Sequence, residues 1–267
     1  MFWERDPKGG YESKTKQSRT KLVREGLKEL RTEIFKWQQE VKEKFEDDPI
    51  WVMPVIGTTG DMNKVWELDN EAALENWNVT SDSDHGEGFS SGSLTISPTG
   101  HGLFSGHIST QVPKDGRVKT AGYCNMKSLR PRKSFKRDAY LDWSQYTHLE
   151  MRVRGDGRNY LLNIGNAGYF DITWNDVYSY ILFTRGGPHW QLTRIPFSKF
   201  FLASKGRVQD KQIQVQLDQV TSLGISAGDR INAPFRLEID YIGVYHDPNH
   251  TETFAYEMYR VPKFMGS

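Results

Sequence analysis

His148-Leu-Glu-Met-Arg-Val-Arg-Gly-Asp-Gly-Arg-Asn-Tyr-Leu-Leu-Asn-Ile-Gly165 is the stretch whose reading decides the fold. Leu149, Met151 and Val153 alternate with Glu150, Arg152 and Arg154, the period-two pattern of a half-buried strand. Asp156-Gly157 supplies residues that tolerate a tight turn. Tyr160, Leu162 and Ile164 then resume the alternation, so the stretch reads as two strands joined as a hairpin. Nearer the C-terminus, Phe235, Leu237 and Ile239 alternate with Arg236, Glu238 and Asp240 in the same way.

The pattern extends through the chain. Strands are expected at 64–69, 74–80, 93–97, 102–110, 121–126, 148–154, 159–164, 177–184, 189–195, 221–226 and 234–246, separated by Gly, Pro, Ser and Asp. Ile213, Val215 and Leu217 alternate with glutamines as an edge strand would. Pro196, Phe197, Phe200 and Phe201 read as an aromatic loop closing one end of the core. So many short strands without intervening long helices predict an all-β sandwich or jelly roll. Aromatic residues at 13% suit such a core.

One segment departs from this pattern. Val23, Leu27, Leu30, Ile34, Trp37 and Val41 are spaced 4-3-4-3-4, with Phe45 one turn on, a single apolar stripe along a helix over 18–46. Glu40 and Lys44 are placed for an i,i+4 pair. Asp47-Asp48-Pro49 ends the helix. Between Lys14 and Lys36, eight Lys/Arg stand against three Glu. The stripe either packs within its own domain or offers a surface to a partner or membrane. The organisation expected is a flexible arm 1–17, a basic amphipathic helix 18–49, a sandwich 50–247 and a tail 248–267.

Composition narrows function. A formal net charge of +1 gives no general attraction to nucleic acid, and no nucleic-acid partner is expected. No apolar run is long enough to cross a membrane as a helix. The single Cys124 cannot close an internal disulfide, and within a strand it reads as a buried small residue. The sequons at Asn78 and Asn249 read as chance matches. Phosphate-loop, nucleophile-elbow and zinc-protease signatures are absent from the sequence. No enzyme activity, cofactor or metal is therefore expected.

Asp82, Asp84, His85 and Glu87 cluster on a glycine-containing segment that reads as a solvated loop, with a Ca²⁺ site as the weaker alternative. Arg154-Gly155-Asp156 reads as part of the hairpin turn. Lys127, Arg130, Arg132, Lys133, Lys136 and Arg137 form a dense basic run around Pro131, either a mobile loop or a contact for an anionic phospholipid or acidic partner. Trp174, beside Asp171, Asn175 and Asp176, and Trp190, beside His189, are the candidates for stacking on a sugar, or else core and rim residues.

Four groups of residues carry a family resemblance. Phe89-Ser-Ser-Gly-Ser-Leu94 with Gly102-Leu-Phe-Ser-Gly106, Thr120-Ala-Gly-Tyr-Cys-Asn-Met126, Arg152-Val-Arg-Gly-Asp-Gly-Arg158-Asn-Tyr160 and Pro234-Phe-Arg-Leu-Glu-Ile-Asp240-Tyr-Ile-Gly243 occur in that order. The chain resembles the complex I intermediate-associated protein family over about residues 50–247. The resemblance implies a galactose-binding-like jelly-roll β-sandwich. It implies a mitochondrial matrix protein, peripheral to the inner membrane and freed of any presequence, that acts as a non-catalytic chaperone in complex I assembly. Its implied partners are membrane-arm assembly intermediates and other assembly factors, including ECSIT and an acyl-CoA-dehydrogenase-like protein. No catalytic residues follow from it. The alternative reading is a carbohydrate- or lipid-headgroup-binding sandwich.

Overall fold

The computed structural model describes residues 19–46, 62–114, 116, 118–167, 176–204 and 206–256. The chain forms two compact units. One contains α1 (Arg19–Glu46) and the hairpin of β6 (Arg132–Lys133) and β7 (Arg137–Asp138). The other contains β1 (Met62–Glu67), α2 (Glu71–Leu74), β2 (Trp77–Ser81), β3 (Ser91–Ile96), β4 (Gly102–Ile108), β5 (Cys124–Ser128), β8 (His148–Gly155) and β9 (Asn159–Asn166). It also holds β10 (Asp176–Phe183), β11 (Gln191–Pro196), β12 (Phe201–Ser204), β13 (Arg207–Val208), β14 (Val220–Ala227) and β15 (Ala233–Tyr245). The expected arm 1–17 and the helix stop at Asp47-Asp48-Pro49 lie outside the described residues, as does most of the expected tail beyond Tyr256.

The second unit is the expected β-sandwich. One sheet runs β11-β8-β15-β4-β3, with β1 also paired to β15; the other runs β13-β12-β10-β9-β14-β5-β2. Every pairing is antiparallel. Leu149, Met151 and Val153 from β8, Phe235, Leu237 and Ile239 from β15, and Tyr160, Leu162 and Ile164 from β9 meet in one buried core. The aromatic loop closes an end of it as expected: Phe197 and Phe200 are buried, and Phe197 stacks on Trp143 at 5.7 Å.

Several local expectations are corrected. β8 and β9 do not form a hairpin; they lie in opposite sheets. Their apolar faces therefore meet across the core instead of lying side by side. Gly155 permits the crossing because a Cβ there would fall 2.3 Å from Thr184, and Gly157 turns with φ +92°. Asp156 fixes the turn by accepting the Arg158 amide at 3.0 Å and the Arg236 amide at 2.8 Å.

The alternation of β15 changes phase. Its inward set is Phe235, Leu237 and Ile239, then Ile242 and Val244, because a bulge inserts Asp240 between the residues facing Val153 and Arg152. Residues 74–76 leave the strand expected at 74–80, since Asn70 caps α2 by accepting the Ala73 amide. β5 starts at Cys124 rather than at 121. Residues 213–217 are not an edge strand. In its place, the buried Gln212 side chain accepts from the Leu202 amide at 2.6 Å and donates to the Leu202 carbonyl at 3.1 Å. One amide side chain thus does the hydrogen bonding of a strand partner.

Candidate functional site

The charged residues of the signature segments hold strands together. Arg154 on β8 bonds Glu238 on β15, whose other oxygen meets Arg236; Glu238 is 1% exposed. Arg152 pairs with Asp240, and Arg194 on β11 pairs with Glu150 at 2.6 Å. Glu150 also accepts from the Tyr241 hydroxyl at 2.9 Å, and burial together with that carboxylate pushes the Tyr241 phenol up to about 12. Arg158 binds Asp229 through two nitrogens and also donates to the carbonyls of Ile231, Ala233 and Pro234. Glu150, Arg152, Arg154, Arg194, Arg236 and Glu238 are strand residues, Arg158 and Asp229 lie in the turns beside them, and each of these carboxylates has its compensating cation.

Trp190 belongs to the same lattice. Arg152 and Arg154 approach its ring at 5.1 and 4.9 Å, and His101 meets it edge-on at 4.9 Å. Its ring is taken up by protein groups, which argues against a sugar platform there. Trp174, Asp171 and Asn175 lie outside the described residues.

Acid should loosen this lattice. Burial pushes the Glu238 carboxyl up, but bonds from Arg154 and Arg236 outweigh it and hold the group below its ordinary 4.5. Asp229 is held below 3.8 chiefly by Arg158. A carboxylate with a depressed folded-state pKa contributes stability that is complete above its unfolded value and disappears as pH falls through the folded one. The contribution of these carboxylates to the denaturation midpoint should be constant from neutrality to about pH 5 and fall steadily below about 4.5. A shallower decline starts earlier, near 6.5, where the buried His148, its imidazole held below the usual value by desolvation, begins to take up protons on unfolding. Neutralising Glu238 as Gln should lower the plateau and flatten the acid limb in the same urea titrations.

The acidic segment after β2 is exposed at Asp84, His85 and Glu87, as expected of a solvated segment, but Asp82 turns inward. Asp82 is fully buried and accepts the Ser90 amide at 2.8 Å, the Ser90 hydroxyl at 3.0 Å and the Gly122 amide at 2.8 Å. Asp84 accepts the Ser81 amide at 2.9 Å. Among the described residues no group of three or more His, Cys, Asp or Glu is arranged to hold a metal ion. Cys124 is buried, and desolvation pushes its thiol up to about 12, so it is a packing residue.

The unit of α1 and the β6–β7 hairpin has a different character. Val23, Leu27, Leu30, Ile34 and Trp37 are between 40 and 63% exposed, Val41 is half-buried, and Phe45 continues the stripe in the open. Glu29, Glu33 and Glu40 fall on a neighbouring face of the same helix, and the hairpin lies along them. Lys136 pairs with Glu29 at 3.1 Å, the Phe135 amide donates to Glu33, and Ser134 gives Glu40 its amide and its hydroxyl. Arg137 completes the Glu40 contact. Glu40 is thereby held by the hairpin, a contact the helix-only pairing with Lys44 left out. The Ser134 amide keeps the Glu40 carboxyl below its usual range, and Lys36 with the Phe135 amide does the same for Glu33.

The six cations of the basic run thus have separate places. Lys127 is on β5 in the sandwich unit. Arg130 lies over Tyr140 at 5.3 Å and pairs with Asp138 at 3.4 Å. Arg132 and Lys133 form β6 and are exposed, while Lys136 and Arg137 face the helix acids. From Arg132 to Asp138 the run is a structured hairpin, and of its cations only Lys136 is half-buried. At its tip Phe135 and Lys136 take φ of 56° and 57°, a left-handed conformation that a bulky side chain seldom adopts.

Antiparallel sheets cross-linked by ion pairs, with a helix that leaves its apolar stripe open, define a β-sandwich protein that also carries a helical unit with an exposed apolar face. The chain belongs to the complex I intermediate-associated protein 30 family, whose profile matches residues 66–239. It is 50% identical to the mitochondrial complex I intermediate-associated protein 30 of Drosophila melanogaster, over 99% of this chain and 89% of that one. To the probable Caenorhabditis elegans counterpart it is 43% identical, over 97% of this chain and 78% of that one. To the mouse protein it is 46% identical, over 72% of this chain and 59% of that one. Among solved structures, a family 11 carbohydrate-binding module of Clostridium thermocellum overlays 72% of this chain and 98% of its own, with TM-score 0.49 and 18% identity.

Proposed function

We propose that this chain is a non-catalytic assembly factor for mitochondrial respiratory complex I. Membership of a family whose curated relatives are named complex I intermediate-associated proteins carries the reading. An unfinished membrane complex exposes apolar surfaces that are later buried, and such surfaces invite wrong association. A stable sandwich with a distinct contact element suits a factor that covers them and then leaves. In this reading the chain works on the matrix side of the inner membrane. There it engages membrane-arm intermediates together with other assembly factors, among them ECSIT and an acyl-CoA-dehydrogenase-like protein. The sandwich is the framework; the stripe Val23, Leu27, Leu30, Ile34, Trp37 and Val41 and the basic hairpin hold it at the growing arm.

The test is affinity purification of the tagged chain from mitochondria, with the eluate resolved on native gels and identified by mass spectrometry. Membrane-arm subunits in sub-complexes smaller than mature complex I are expected. Recovery of mature complex only, or of no complex I subunit, would overturn the reading.

A further inference from the structure

We propose that α1 and the β6–β7 hairpin together form an in-plane seat for an anionic bilayer surface. The inference rests on the assembly reading above and names what meets the helix stripe.

Charge segregation is the first observation. α1 carries eight Lys/Arg against six Glu, and residues 130–140 carry five against one, a surplus of six cations in a chain whose net charge is +1. The rest of the chain is therefore net acidic by five, and the cationic surplus lies in these two segments.

The arrangement of those charges is the second. At about 100° per residue, Arg24, Arg31 and Lys42 share one flank of the stripe, and Glu29, Glu33 and Glu40 share the other. An acidic flank would be repelled by anionic headgroups. The hairpin removes that objection, because Lys136, Arg137 and the amides of Ser134 and Phe135 satisfy all three carboxylates. It also adds the exposed Arg132 and Lys133. The unit then shows an apolar stripe with cations to either side, the pattern of a helix lying in a membrane interface.

The third is the character of the stripe. It includes Trp37, a residue suited to the interface, and no described helix is long and apolar enough to cross the bilayer. The strained tip turns the Phe135 ring outward, half exposed, as a further apolar contact. A protein helix docking on the stripe would be expected to meet a mixed-charge rim; a continuous anionic surface matches the rim found here.

The full chain should float with phosphatidylcholine vesicles that contain cardiolipin and not with phosphatidylcholine alone, and rising salt should release it. Arg24→Gln with Arg31→Gln should lower partitioning on the order of thirtyfold. Leu30→Asp with Ile34→Asp should abolish it. Should these variants lose helix by circular dichroism, quenching by brominated acyl chains in wild type but not in Trp37→Phe supplies an independent readout of stripe insertion. Absence of flotation, flotation indifferent to cardiolipin, or equal quenching of both proteins would overturn the inference. If the chain ignores vesicles yet recovers membrane-arm sub-complexes only with an intact stripe, the stripe is occupied by protein and the assembly reading stands without the bilayer. If it floats as expected but recovers no complex I subunit, the assembly reading falls and the lipid seat stands.

Discussion

Asp82→Ala should destabilise the sandwich by about 3 kcal/mol or more, a large share of the stability of an ordinary domain. The side chain is fully buried and receives three hydrogen bonds, from the Ser90 amide and hydroxyl and from the Gly122 amide. Truncation leaves the two amides without that acceptor, and the Ser90 hydroxyl keeps only the Ser109 carbonyl at 3.3 Å. Gly88 makes the packing plain, since a Cβ there would lie 2.1 Å from the Asp82 carboxylate. Asp82→Asn should recover only part, because whichever way its amide lies one donor faces a backbone N–H, that of Ser90 or that of Gly122. Urea titrations of the three proteins provide the test. A loss under about 1 kcal/mol for alanine, the scale of a single exposed hydrogen bond, would mean that the latch is not structural.

Gly106→Ala should be comparably damaging for a steric reason. Gly106 lies on β4, opposite Gly92 of β3 and Phe235 of β15. A Cβ would meet the Ser91 carbonyl oxygen at 2.0 Å, the Gly92 Cα at 2.8 Å and the Phe235 ring at 2.9 Å. Neither backbone can yield without breaking the β3–β4 ladder, and the ring is held in the core, so the cost should exceed the roughly 1–3 kcal/mol of ordinary overpacking. Gly224→Ala is the internal comparison. Its Cβ would find Asn125 at 3.4 Å and Asn163 at 3.6 Å, ordinary contact distances, and its unfolding midpoint should stay near wild type. Equal midpoints for the two substitutions would refute the steric account.

The sequence carried those features whose signal is local. Alternation found β8, β9 and β15, and the 4-3-4-3-4 spacing found α1 and its stripe, because a strand or helix face is written in neighbouring residues. It did not reveal that β8 and β9 part into opposite sheets, since an arch and a hairpin share the same alternation and turn residues. The phase change of β15 was hidden because the Asp240 bulge depends on the strand beside it. Gln212, beside the segment expected as an edge strand, carries no local sign of its role, and only the position of Leu202 makes it a substitute for a strand. The hairpin on the helix acids was the least accessible, because Glu40 and Ser134 are 94 residues apart and each has ordinary local explanations. The family-like segments were recognisable, but the partnership of Arg154 with Glu238 needed the register of β8 against β15.

The position of β15 has a consequence for how the chain comes to be folded. Among the described residues it is the last strand in sequence, yet it runs through the middle of its sheet, bonded to β8 along one edge and to β4 and then β1 along the other. Synthesis delivers a chain N-terminus first. Until residues 233–245 emerge, β1, β4 and β8 lack the partner that joins them, and Leu149, Met151 and Phe104 have no closed core to enter. This sheet must then form late and through distant contacts, the condition for slow folding and long exposure to misassociation. A protein proposed to guard the unfinished parts of a larger machine passes through a vulnerable interval of its own, and its unfolded chain should depend on folding helpers until residues 233–245 are in place.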